Sequence, residues 1–170
     1  SGDADVLDTL DAQWRGRGWK TKRLRVSHAF HSPRMDAMLA EFGAVAAGLT
    51  YAAPRIPVVS NLTGEPVERL DAEYWVRHVR GTVRFADGLA WLHGRETATY
   101  LEVGPDGALT SLVAANLDGA AAVATQRRDR AEQTALWSAV AAVSAAGVPV
   151  DWSTVNGPAG RVVALPTYPF

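Results

Sequence analysis

Between Thr99 and Thr125 a short strand-like run ends in Gly104-Pro105-Asp106-Gly107, and a helix-like run from about Ala108 to Leu117 follows before a second short apolar strand at Ala121–Thr125. Two strands joined by a tight turn and one short helix leave few architectures open. The pattern predicts an α/β layered sheet with short crossovers.

The rest of the chain fits the same plan. Val6, Leu7, Leu10 and Trp14 have helical spacing over residues 4–15, and Gly16 and Gly18 end that helix. Lys22 to Ser27 alternates charged residues with Leu24 and Val26, as a half-buried strand does. Ser32-Pro33 then opens a long helix: Ser is a favoured N-cap, and Pro suits the first helical position, where its missing N–H is not needed. Met35, Met38, Leu39, Phe42, Val45, Ala46 and Leu49 form its apolar stripe and read as core. Ile56 to Ser60 reads as a short buried strand closed by Asn61-Leu62-Thr63-Gly64. Asp71 is placed to cap one short helix, and Thr82 another that Gly94 stops. Asp129 and Glu132 form a capping-box-like pair before a helix ending at Gly147. The tail beyond it is too proline-rich for a central strand. A boundary is expected near Thr125.

Bulk properties narrow the function classes. Apolar residues make up 48% of the 170, enough for a real core. A net charge of −1 argues against nucleic acid or an anionic membrane as the main partner. The absence of cysteine removes disulfides and thiolate chemistry. No apolar run approaches a membrane span of about 20 residues, and no signal peptide is visible. A cytoplasmic location is expected.

The residues able to carry chemistry cluster in Val26-Ser27-His28-Ala29-Phe30-His31-Ser32-Pro33. His31 sits just before the expected N-cap. A helix N-terminus disfavours imidazolium and so favours the neutral ring a general base needs. His28 is the rival, as a pocket wall or as the base itself. A metal is not expected, because no third ligand lies near the two histidines. Asn61 is either a turn residue or the group whose carbonyl orients a histidine. The Gly104–Gly107 turn lacks the spacing of a phosphate loop. His78 and His93 fall on helix surfaces. The sequence holds no Gly-x-Ser-x-Gly elbow for a base to serve.

Assembled in order, the motifs resemble the C-terminal part of an acyltransferase domain from a modular type I polyketide synthase. They are Arg23-Leu24-Arg25-Val26-Ser27-His28-Ala29-Phe30-His31-Ser32-Pro33, Pro57-Val58-Val59-Ser60-Asn61-Leu62-Thr63-Gly64 and Tyr74-Trp75-Val76-Arg77-His78-Val79-Arg80. Val83-Arg84-Phe85-Ala86-Asp87 and Leu101-Glu102-Val103-Gly104-Pro105 follow, and Leu165-Pro166-Thr167-Tyr168-Pro169-Phe170 resembles the close of a post-acyltransferase linker.

The resemblance implies an α/β-hydrolase-like large subdomain with an inserted ferredoxin-like small subdomain. Residues 1–27 would end the small subdomain, 28–125 would belong to the large one, and 126–170 would be the linker. It implies His31 as the catalytic base and Asn61 as its orienting partner. His28, Ala29 and Phe30 form a specificity run of the malonyl type, with Phe30 filling space that an α-methyl group would need. The implied reaction moves malonyl from malonyl-CoA to the phosphopantetheine thiol of an acyl carrier protein, with no resident cofactor. Further implied partners are the N-terminal half of the domain, which would hold the nucleophilic serine and the carboxylate-binding arginine, and the ketosynthase with its linker. The chain alone is then expected to be inactive. The rival expectation is a non-catalytic docking fragment that contacts the ketosynthase and linker domains.

Overall fold

A computed structural model describes residues 1–24, 26–157, 164 and 166–167. Of the closing Leu165–Phe170 run, only Pro166 and Thr167 lie within the described residues. The fold is mixed α/β in two compact units, Ser1–Arg95 and Glu96–Phe170. Position 125 falls inside the second unit.

In the first unit, helix α1 spans Ala4–Gly16. The strand expected at 22–27 does not form: the described residues there have no ladder partner, and Leu24 and Val26 are 72% and 69% exposed. Alternation alone makes no strand without a neighbour to take its hydrogen bonds. Ser32 is an N-cap, its Oγ accepting from the Arg34 N–H at 3.3 Å. The expected long helix begins as a 3-10 helix, Pro33–Met38, and continues as α2, Leu39–Ala47. Its stripe is core only in part: Met35 and Ala46 are buried, while Val45 and Leu49 are exposed.

The expected 56–60 strand shortens to β1, Val58–Val59, which pairs antiparallel with an unanticipated β2, Pro66–Val67. Gly64 turns between them at φ +75°, where a Cβ would sit 2.5 Å from Asp87 Cβ, so the hairpin needs glycine on two counts. Helix α3, Ala72–Arg80, starts at Asp71, whose carboxylate accepts from the Tyr74 N–H at 2.9 Å. It packs on α2, with Gly43 allowing close approach to Val76. Helix α4, Phe85–His93, ends at Gly94 as anticipated, but Thr82 is not its cap: the N-cap is Arg84, which makes no side-chain capping bond.

In the second unit, β3 (Thr99–Glu102), α5 (Ala108–Asn116) and β4 (Ala121–Ala124) form a strand–helix–strand crossover. The strands pair in parallel, from Thr99 with Ala121 to Glu102 with Ala124. A helical crossover is what parallel pairing requires. Glu102 accepts from the Thr110 N–H at 2.8 Å, so a carboxylate already occupies the start of α5. Helix α6, Glu132–Ala145, lies on β4, with Ala135 and Ala139 buried. Asp129 does not cap it; the N-cap is Ala131, and Asp129 lies 3.6 Å from Arg127. A short helix, α7 (Trp152–Asn156), was not legible in the proline-rich tail.

Candidate active site

His31 occupies a left-handed backbone conformation, φ +62°, between the loop that precedes it and the Ser32 N-cap. Such a conformation costs a non-glycine residue roughly 1–2 kcal/mol and needs surroundings that impose it. They are present. The Ser32 hydroxyl donates to the Ala29 carbonyl at 2.6 Å, and the His31 N–H donates to the Val79 carbonyl at 3.0 Å. The Nδ1 of His31 lies 2.7 Å from the carbonyl oxygen of Gly81. A carbonyl only accepts, so Nδ1 carries the proton, and in the neutral ring Nε2 keeps its lone pair free. That is the tautomer a general base uses.

The partner of the imidazole is therefore Gly81, not Asn61. Asn61 is exposed, and its backbone carbonyl accepts instead from the Arg84 N–H at 2.7 Å. Leu62, next in the chain, approaches Gly81, where a Cβ would come within 2.6 Å of its Cδ1. The Asn61 turn thus braces the 81–84 segment that presents the Gly81 carbonyl.

His28 is exposed, its Nδ1 3.0 Å from the Ser27 hydroxyl. Its ring meets Phe30 edge-on at 6.2 Å between centroids, and Phe30 stands 6.3 Å from His31. Phe30 is 44% exposed beside the candidate base, while Ala29 is half-buried and holds the Ser32 hydroxyl. The two histidines of the run are thus not interchangeable: only His31 has its ring anchored on the backbone of another element.

Sequence reading missed His78. It belongs to the last turns of α3, half-buried, with its ring 5.9 Å from that of His31 at 76°. Burial, and secondarily the positive charge His31 can carry, push its pKa below the usual value. Helical periodicity could not reveal this, because the contact spans two elements. Arg80, on the same turn, pairs with Asp36 of the 3-10 helix at 2.6 Å and ties the two elements beside the site. Among the described residues no three His, Asp or Glu side chains gather as metal ligands, and no helix is long and apolar enough to cross a membrane.

Comparisons with known proteins agree on one family. Residues 1–149 match the acyl transferase domain family. Polyketide synthase GfsA of Streptomyces halstedii is 49% identical over 178 residues, which cover all of this chain and 2% of that protein. The acyltransferase domain from the second module of the salinomycin polyketide synthase matches with a TM-score of 0.85 at 46% identity, covering 92% of this chain and 38% of that one. The acyltransferase domain of SpnD, solved in complex with 2-(pent-4-yn-1-yl)malonyl, matches with a TM-score of 0.79 at 40% identity, covering 86% and 38%. The chain spans a small part of its curated relative and under half of each solved domain. The chain belongs to the acyl transferase domain family and forms part of a polyketide synthase acyltransferase domain.

Proposed function

We propose that His31 is the base of an acyltransferase that moves a malonyl unit from malonyl-CoA to the phosphopantetheine thiol of an acyl carrier protein. The observation that carries this reading is the anchoring of Nδ1 on the Gly81 carbonyl, which leaves Nε2 free to take a proton.

The reaction runs in two halves. Nε2 takes the proton of a serine hydroxyl supplied from outside this chain, and the serine oxygen forms an ester bond to the malonyl carbonyl. The thioester C–S bond breaks, and the CoA thiolate leaves with the proton from His31. The carrier-protein thiol then gives its proton to Nε2 and attacks the ester, and the serine recovers its proton as it leaves. The Gly81 carbonyl steadies the imidazolium that forms in each half.

Phe30, beside His31, supports a preference for malonyl over α-substituted units, because its ring takes space an α-methyl group would need. One methyl is worth only about 1–3 kcal/mol of discrimination, so Phe30 biases the choice rather than fixing it. Asn61 serves as a positioning residue through the 81–84 segment. Residues 1–27, 28–125 and 126–170 keep their proposed places as the end of the small subdomain, part of the large subdomain and the linker. In that linker Trp137 and Trp152 are exposed, which favours a further role in docking the ketosynthase and its linker.

The test is loading of the complete acyltransferase domain that carries this chain, followed by intact-protein mass spectrometry. His31→Ala should cut the loading rate by at least about 100-fold. Normal loading by that variant overturns the assignment.

A further inference from the structure

We infer that His78 is a positioning residue for His31: its ring meets the imidazole in a T-shaped contact and limits the orientations from which that ring accepts its proton. The inference rests on the reading of His31 as the base.

The end of α3 and the residue after it grip His31 at successive points. Val79 holds its backbone N–H, Gly81 holds Nδ1, and His78 stands against the ring at 5.9 Å. A single hydrogen bond at Nδ1 leaves an imidazole free to swing about that bond. A second ring in T-shaped contact, at 76° to the first, restricts that swing. This second ring is itself supported. His78 lies 5.6 Å from Tyr74 and 5.8 Å from Trp75, and these two rings meet edge-on at 5.1 Å. The Tyr74 hydroxyl lies 2.8 Å from the Oγ of Ser60, a residue 1% exposed at the end of β1. A continuous line of contacts therefore runs from the β1 hairpin through Tyr74 and His78 to the base.

The chemistry of His78 suits its place. A lysine or arginine there would repel the imidazolium that forms in each half-reaction. A neutral imidazole does not, and burial, then the neighbouring charge of His31, lower the pKa of His78 and so favour its neutral form. An ordinary surface histidine on an exposed helix face would show none of these contacts.

The experiment measures malonyl loading kinetics of the complete domain with His78→Ala, His78→Phe and His31→Ala. His78→Ala should lower kcat by about 10- to 100-fold with the KM for malonyl-CoA unchanged, and His78→Phe should return it to within about threefold of wild type, because a misaimed base loses rate without losing substrate binding. His78→Gln, polar but without a ring face, replaces the alanine variant should that one not fold, and the same loss of kcat is expected of it. The inference is overturned if His78→Ala loads at the wild-type rate, if Ala and Phe lose rate equally, or if the loss falls on KM. His31→Ala separates the two readings. If it is inert while His78→Ala is normal, only the role of His78 fails. If it loads normally, the reading of His31 itself fails.

Discussion

The imidazole of His31 is joined through Nδ1 to the carbonyl oxygen of Gly81, 50 positions further along the chain. A local motif supplies the ring, and the residue just beyond a distant helix aims it. The backbone at His31 is bent to meet that carbonyl, and the bend itself can be tested.

His31 holds φ +62°, a conformation glycine adopts freely and alanine does not. Both His31→Gly and His31→Ala remove the ring and its bond to Gly81. The glycine variant should nevertheless be more stable than the alanine variant, by about 1 kcal/mol. Chemical denaturation of both in the complete domain checks this, and equal midpoints would show that the bend carries no strain.

Phe30 stands 6.3 Å from His31, within the run proposed as a selectivity wall. Phe30→Ser should raise loading of methylmalonyl relative to malonyl by about tenfold, near the low end of what one methyl group decides. Competition of the two CoA thioesters reads the ratio directly. An unchanged ratio would place the selectivity elsewhere.

His78 gives a pH dependence whose sign can be worked out. Burial, then the charge of His31, hold its pKa below the usual 6.5. Above that value the ring is neutral in folded and unfolded chains alike. As the pH falls below it, the unfolded chain takes up a proton that the folded one resists, so stability drops until the folded ring also protonates. His78→Phe should flatten this part of the stability curve, from the usual 6.5 down to where the folded ring protonates. Parallel curves for wild type and variant would remove His78 from the account.

Asp151 titrates in the opposite sense. The hydroxyls of Ser153 and Thr154, then their backbone N–H groups, hold its carboxylate down at about 2. The cap it gives α7 is present above the usual 3.8 and is lost as the pH falls through about 2. The amide resonances of Ser153 and Thr154 report this cap, and a midpoint at about 4 would mean that no such bonds form.

What the sequence made legible was what neighbours in the chain decide. Ser32-Pro33 marked a helix start, Asp71 a cap, Gly94 a stop, and the Gly104–Gly107 turn a strand passing into a helix, because each depends on residues within one turn. The strand expected at 22–27 depended on a ladder partner, which no alternation of residues supplies. Gly81 was invisible as the partner of His31 because a backbone carbonyl has no side-chain signature; Asn61 drew attention through the turn it occupies after a strand. His78 looked like a surface residue because its neighbour lies on another element. The cap that Asp151 gives α7 was not legible, because the prolines around it marked the segment as irregular.

The bond from the His31 N–H to the Val79 carbonyl has a consequence for how this site is lost. Helix ends open more readily than whole domains unfold, and the end of α3 is where His31 is fastened. Amide hydrogen exchange at His31 should therefore keep step with the closing turn of α3 rather than with global unfolding. Catalytic competence would then be set by a local opening equilibrium at one helix end, well before the fold itself gives way.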